Sequence, residues 1–194
     1  MVTPPLPEPS VHVRDPQALK ALAHPLRGRL LGLLRLDGPS TATLLGHRVG
    51  ESSGSTSYHL RQLAAHGFVD EVEGLGRGRE RWWRAVHRTT YWEPAELLAQ
   101  PGGREIADEL LHQHLGQQAR VLAQLAAEEA DLHADWRAAV SLNDWALRLT
   151  PERSRTLAGE LNDVLRRYRD DHEEPDAPLV HVLLDVFPLT DYPL

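Results

Sequence analysis

The stretch that decides the fold is GSTSYHLRQLAAHGFVDEV, Gly54–Val72. Wound at about 100° per residue, it places Thr56, Leu60 and Leu63 on one side of a helix and Gly54, Ser55, Tyr58, Arg61 and Gln62 on the other. Ser52 stands where an N-cap is needed, and His66-Gly67 ends the periodic run, so a helix is expected from about 53 to 65. The residues that follow, Phe68 to Glu73, are a strand-like run.

Working outward toward the N-terminus, Asp15-Pro16 is a helix start, an acceptor followed by proline in the first turn. A short helix carries Leu19 and Leu22. His24-Pro25 breaks it and opens a second, with Leu26, Leu30, Leu33 and Leu34 at helical spacing, stopped by Asp37-Gly38-Pro39. Ser40 is the expected cap of a third helix with Leu44, Leu45 and Val49 inward, closed by Gly50. On the other side, Glu80–Val86 (ERWWRAV) is a second strand-like run. The link Gly74–Arg79 is glycine-rich and basic, so a hairpin with a long tip is expected. Three helices and a basic hairpin in this order describe a winged helix-turn-helix over residues 15–90, after a proline-rich lead, 1–14, expected to be disordered.

The outward face of the 53–65 helix has small residues in its first turn and hydrogen-bonding side chains one turn on. That arrangement lets a helix approach a major groove closely and then reach base edges. Arg61 suits guanine, Gln62 suits adenine, and Tyr58 suits a phosphate or a thymine methyl. Arg77, Arg79 and Arg81 sit at or beside the hairpin tip, near 74–81, where a wing follows the DNA backbone. Each feature has a plainer reading, a solvated helix face and a solvated turn. Their order, spacing and charge together favour double-stranded DNA.

The charge distribution agrees. Net charge is −7, but residues 1–88 hold 12 Lys+Arg against 8 Asp+Glu, and residues 89–194 hold 9 against 20. Only the first part is suited to a polyanion. Cysteine is absent, which excludes a disulfide framework, a thiolate metal site and a cysteine nucleophile. The start of the chain lacks a signal-peptide pattern, and no apolar run reaches the roughly 18 residues of a membrane span. A soluble cytoplasmic protein is expected. No nucleophile elbow, phosphate loop, zinc-protease pair or dinucleotide fingerprint is present, so an enzyme is not expected, nor a cofactor.

Residues 18–86 resemble the ArsR-like winged helix-turn-helix regulators. ALKALAHPLRGRLLGLL (Ala18–Leu34) is similar to their opening helices, GSTSYHLRQLAAHGFVDEV to their recognition helix and entry to the wing, and GRERWWRA (Gly78–Ala85) to the returning wing strand. The resemblance implies a homodimer that binds an inverted-repeat operator, with repression as the commoner outcome. It implies DNA contacts for Ser55, Ser57, Tyr58, Arg61 and Gln62, and places Arg27 within reach of the backbone. Glu51 and Thr56 depart from the family's apolar pattern, which implies a less tightly buried turn with its register open by one residue. Metal-responsive members use cysteines, or aspartate and histidine on a dimer helix. Here His112 and His114, with Asp108 one turn before, lie at i and i+2, which face different ways, so surface histidines are the expectation and no metal is assigned.

Residues 91–194 are expected to form a helical dimerisation region with a small strand-helix-strand appendage, making the whole mainly α, of α+β class. An amphipathic pattern from Arg104 to about Ala139, with Ile106, Leu111, Leu115, Leu122, Leu125 and Leu132 near one face, reads as one long helix or two joined by a kink. Leu142–Leu149 and Leu179–Phe187 read as strands on either side of a helix opening at Thr150-Pro151-Glu152. Trp92, Trp136 and Trp145 are either core residues or the lining of a pocket for a small apolar effector. The rival function is a winged-helix module that binds protein instead of DNA, separable by the steep salt dependence that phosphate neutralisation brings.

Overall fold

Asp15 accepts a hydrogen bond from the Gln17 amide (3.0 Å) and starts α1, Pro16–Leu22, with proline in the first turn. The computed structural model describes residues 8–75, 80–171 and 177–189. The chain divides after Ala123 into two compact units.

In the first unit, β1 (Glu8–His12) precedes α1. α2, Pro25–Leu36, is capped by His24, whose Nδ1 accepts from the Leu26 amide at 3.2 Å. A two-residue strand β2, Ser40–Thr41, leads into α3, Ala42–Val49. The α3 cap is Thr41, whose hydroxyl accepts from Leu44 N, one residue later than the expected Ser40. Gly50 closes α3 in the left-handed region, φ +75°, a conformation that other residues adopt only with strain. α4, Ser53–Ala65, is capped by Ser52 as expected, and β3 (Val69–Val72) and β4 (Trp82–Ala85) form the antiparallel hairpin. β2 adds to the other edge of β4, giving the order β2-β4-β3.

Beyond the hairpin come β5 (His87–Tyr91), α5 (Pro94–Leu98) and the start of α6 (Gly103–Glu128). β5 pairs in parallel with β1. This corrects the expectation of a disordered lead for residues 8–14. The prolines masked a segment whose Val11 and Val13 pack on the core, and whose His12 ring stacks on Tyr91 at 4.7 Å. Arg35 of α2 secures β5, donating from Nε to His87 O (2.9 Å) and from Nη2 to Thr90 Oγ1 (2.6 Å). Burial lowers its pKa to about 10.

The core of this unit is one cluster. Leu19, Leu30, Leu31 and Leu34 meet Leu45, Leu60, Leu63, Phe68 and Trp83, with Leu97 and Leu110 beside them. The hydrophobic effect on these side chains is the main term holding the helices together, worth roughly 1.5–3 kcal/mol for each large residue buried. Two sequence expectations are corrected here. Leu44 is 52% exposed, its inward place taken by Leu45 and Gly46. The α3–α4 turn is tight, not loosened: Thr56 is fully buried, and a Cβ on Gly46 would lie 2.7 Å from Glu51 O and 3.1 Å from Thr56 Oγ1.

In the second unit, a 3-10 turn (Glu129–Asp131) ends the long helical run, followed by α7, Ala134–Ala139, and α8, Pro151–Asp171. The 104–139 pattern is therefore helices joined by a break. The helix expected after Thr150 is present, but the strands expected at 142–149 and 179–187 are not: neither has a strand partner among the described residues. A strand needs a neighbour to satisfy its amides and carbonyls, and an apolar run alone does not provide one.

Candidate nucleic-acid interface

The recognition-type helix α4 is anchored from behind. Thr56, Leu60 and Leu63 are fully buried, while its other face is open, with Tyr58 54% exposed and Arg61 exposed beside half-buried Ser55, Ser57 and Gln62. Ser52 Oγ accepts from Ser55 N (3.1 Å), leaving the other first-turn amides of α4 at its positive end. Arg61 lies along the helix, its Nε donating to Ser57 O at 3.2 Å, so its guanidinium is free to extend by a side-chain rotation.

Between α4, the start of α3 and the wing lies an open hollow of about 350 Å³, lined by Thr43, Ser53, Ser57, Arg61, Glu80, Arg81 and Trp83. Hydroxyls and two guanidinium groups line it, together with the Glu80 carboxylate. Thr43 and Ser53 were not singled out from the sequence. Their signal was available in principle, since each falls within a turn of a capped helix start. Arg81 also donates from Nη1 to Glu71 Oε1 across the hairpin at 2.6 Å, and Arg84 pairs with Asp70 at 3.3 Å. Arg77 and Arg79 lie outside the described residues.

Arg27 is half-buried and close enough to Tyr58 to interact with it electrostatically. It donates to Lys20 O at 3.2 Å, its Nε is buried without a partner, and desolvation lowers its pKa, opposed by Tyr58. Beside it His24 and His59 meet at 4.5 Å between ring centroids, and Tyr58 sits edge-on to His59 at 5.1 Å. The pKa of His24 is lowered by desolvation and by Arg27; that of His59 by desolvation, by His24 and by Arg27. Both rings are thereby held toward the neutral state that the His24 cap requires.

On α6 the leucines Leu111, Leu115 and Leu122 are exposed, while Leu110 is buried. His112 and His114 are exposed on the same helix, and no group of three metal-ligand side chains is found among the described residues. Of the three tryptophans, Trp92 belongs to the first unit and Trp136 and Trp145 to the second. Trp92 packs on the first unit's core, Trp136 is exposed, and Trp145 is 77% exposed. An indole so exposed does not line an apolar pocket within its own unit. Among the described residues no helix is long and apolar enough to cross a membrane.

Comparison with known proteins adds the following. No curated protein matches the chain. One solved structure, RV1404 from Mycobacterium tuberculosis, is 18% identical, covering 63% of this chain and 76% of that one, with a TM-score of 0.33, a likeness that carries no argument. The family model described as "Helix-turn-helix domain" matches residues 22–72, which run from the end of α1 through α4 to the first wing strand. That stretch of the chain is a helix-turn-helix domain.

Proposed function

We propose that this protein is a sequence-specific transcription regulator that binds double-stranded DNA, with α4 in the major groove and the wing near 74–81 on the backbone. The observation that carries the reading is the two-sidedness of α4: Thr56, Leu60 and Leu63 are sealed in the core, while Tyr58 and Arg61 stand open. In this reading Arg61 and Gln62 read bases, and Tyr58, Ser55 and Ser57 position the helix. A phosphate occupies the hollow between Arg61 and Arg81, with Arg77 and Arg79 continuing along the strand. Arg27, beside Tyr58, reaches the DNA backbone.

The regulator works as a homodimer through the exposed leucines of α6, binds an inverted repeat, and represses by occupying it. Two recognition helices about one DNA turn (~34 Å) apart set the half-site spacing. The reading assigns no catalysis, no cofactor and a cytoplasmic location. The acidic second half stays off the DNA. Footprinting of genomic fragments bound by the purified protein tests it. A short, two-fold symmetric protected site is expected; capture of fragments without any shared site rejects sequence-specific regulation.

A second reading is favoured by one observation. Arg81 is already paired with Glu71, and Glu80 adds negative charge to the hollow. Both would suit a basic or polar protein surface, making the winged helix a protein-binding module.

A further inference from the structure

Three rings stand in a row between the start of α2 and the open face of α4. His24 meets His59 at 4.5 Å between centroids, tilted by 38°, and His59 meets Tyr58 edge-on at 5.1 Å and 78°. Ring contacts of this kind are directional, so each ring helps to fix the setting of the next. The first ring is held by the α2 cap, where its Nδ1 accepts from Leu26 N. The last is 54% exposed, on the face proposed for DNA. Tyr58 lies one turn before Arg61 and Gln62, so its setting governs how that part of α4 seats in a groove.

The middle ring is the weak member. His59 is half-buried, and its Nδ1 is enclosed without a hydrogen-bond partner. Arg27 of α2 sets a positive charge near both imidazoles and near Tyr58. Two carboxylates act the other way, Glu109 of α6 on His24 and Glu51, just before α4, on His59. α1 contributes the Lys20 carbonyl, which accepts from Arg27. Burial first, and then the neighbouring positive charges, outweigh the carboxylates, so both pKa values are lowered from 6.5. The pair is neutral at pH 7.5 and takes up charge below pH 6.5.

We infer that His59 is a positioning residue for Tyr58, and that protonating the His24–His59 pair releases Tyr58 and costs the protein its choice among DNA sequences. Either proton breaks the row. On His24 Nδ1 it takes the place of the cap acceptor and frees the first ring. On His59 it faces Arg27 and leaves a donor at the enclosed Nδ1 without an acceptor. The added charge still attracts any phosphate, so affinity for DNA in general is kept and discrimination is lost. This role rests on the DNA reading above and adds how acidity governs the seating of α4.

The measurement is the ratio of affinities for a selected duplex and a random one, in the full-length protein from pH 7.5 to 5.5. General charge attraction and any loss of folded protein enter both affinities and cancel. The wild-type ratio should hold above pH 6.5 and fall at least about fivefold below it. His59→Ala removes the middle ring, so its ratio should be low at every pH. His59→Phe restores a ring and should recover most of the ratio at pH 7.5. His24→Asn together with His59→Phe leaves a cap and a ring but no proton site, and its ratio should stay level in acid. After Tyr58→Ala, His59→Ala should cost nothing further, as coupled residues require. A wild-type ratio that stays level, a double variant that falls as the wild type does, no recovery in His59→Phe, or additive losses for Tyr58 and His59 would each overturn the positioning role and leave sequence-specific binding intact. If no duplex is preferred over random DNA at pH 7.5, the DNA reading itself fails and this role with it.

Discussion

The imidazole rings of His24 and His59 lie 4.5 Å apart, joining the N-terminus of α2 to the middle of the recognition-type helix. His24 Nδ1 is the cap acceptor for Leu26 N, and His59 Nδ1 is buried without a partner. Both roles require neutral rings, because a proton on His24 Nδ1 removes the acceptor, and two imidazolium groups beside Arg27 repel one another.

Acid should therefore loosen the domain at this point. Both pKa values are lowered from 6.5 in the folded state, so below 6.5 the unfolded chain binds more protons than the folded one. The stability held by the neutral pair is complete above pH 6.5 and is lost as pH falls through the folded-state values. Thermal melts between pH 7.5 and 5 should show a falling Tm. His24→Asn, which keeps a cap and removes the titration, should flatten that dependence, as should His59→Gln. An unchanged slope in both variants would separate the pair from the effect.

The close crossing of α3 and α4 predicts opposite results for two small substitutions. Gly46→Ala pushes a Cβ to 2.7 Å from the Glu51 carbonyl, against backbone that has no rotamer to yield. It should destabilise by about 1–3 kcal/mol in denaturant unfolding. Thr56→Val removes a fully buried hydroxyl that has no hydrogen-bond partner. It should be neutral or stabilise by up to about 1 kcal/mol.

These two residues also mark where the sequence was legible. The helix starts at Asp15, His24 and Ser52 were readable, because a cap is a local hydrogen bond set by one side chain and its neighbours. So was the division of α4 into buried and open faces, since helical period fixes it. The burial of Thr56 was not readable, because it depends on Gly46 in another helix. β1 was hidden for the same reason: its partner β5 lies some eighty residues away, and the prolines gave a stronger local signal. At 142–149 and 179–187 the apolar residues are present without the pairing, as composition does not name a neighbour. In the candidate interface, Arg61 and Arg81 could be nominated from sequence. Their meeting around one hollow with Thr43 and Ser53 could not.

Arg35 anchors β5 with two hydrogen bonds from a largely buried guanidinium. Arg35→Met keeps the aliphatic packing and loses both bonds, so about 2–3 kcal/mol of stability should be lost. Amide exchange should rise in β5 and in the β1 strand paired with it, ahead of α4. Uniform loss across the domain would argue against a local anchor.

Arg61 and the wing arginines are assigned different work on DNA. Arg61→Ala should weaken binding to the selected site by about 1–3 kcal/mol and relax base choice at one position. Arg77→Ala or Arg81→Ala should weaken selected and random duplexes more evenly. Competition binding across a single-position site library checks this. Equal losses on both DNAs for Arg61→Ala would remove it from base reading.

The most direct test of the central claim is the affinity of the full-length protein for duplex DNA measured from 50 to 300 mM salt. If α4 and the wing lie on DNA, log affinity falls linearly with log salt concentration, with a slope of about −0.9 per neutralised phosphate, and Arg81→Ala makes that slope shallower. Failure to bind any duplex at the lowest salt, or an affinity indifferent to salt, would contradict it.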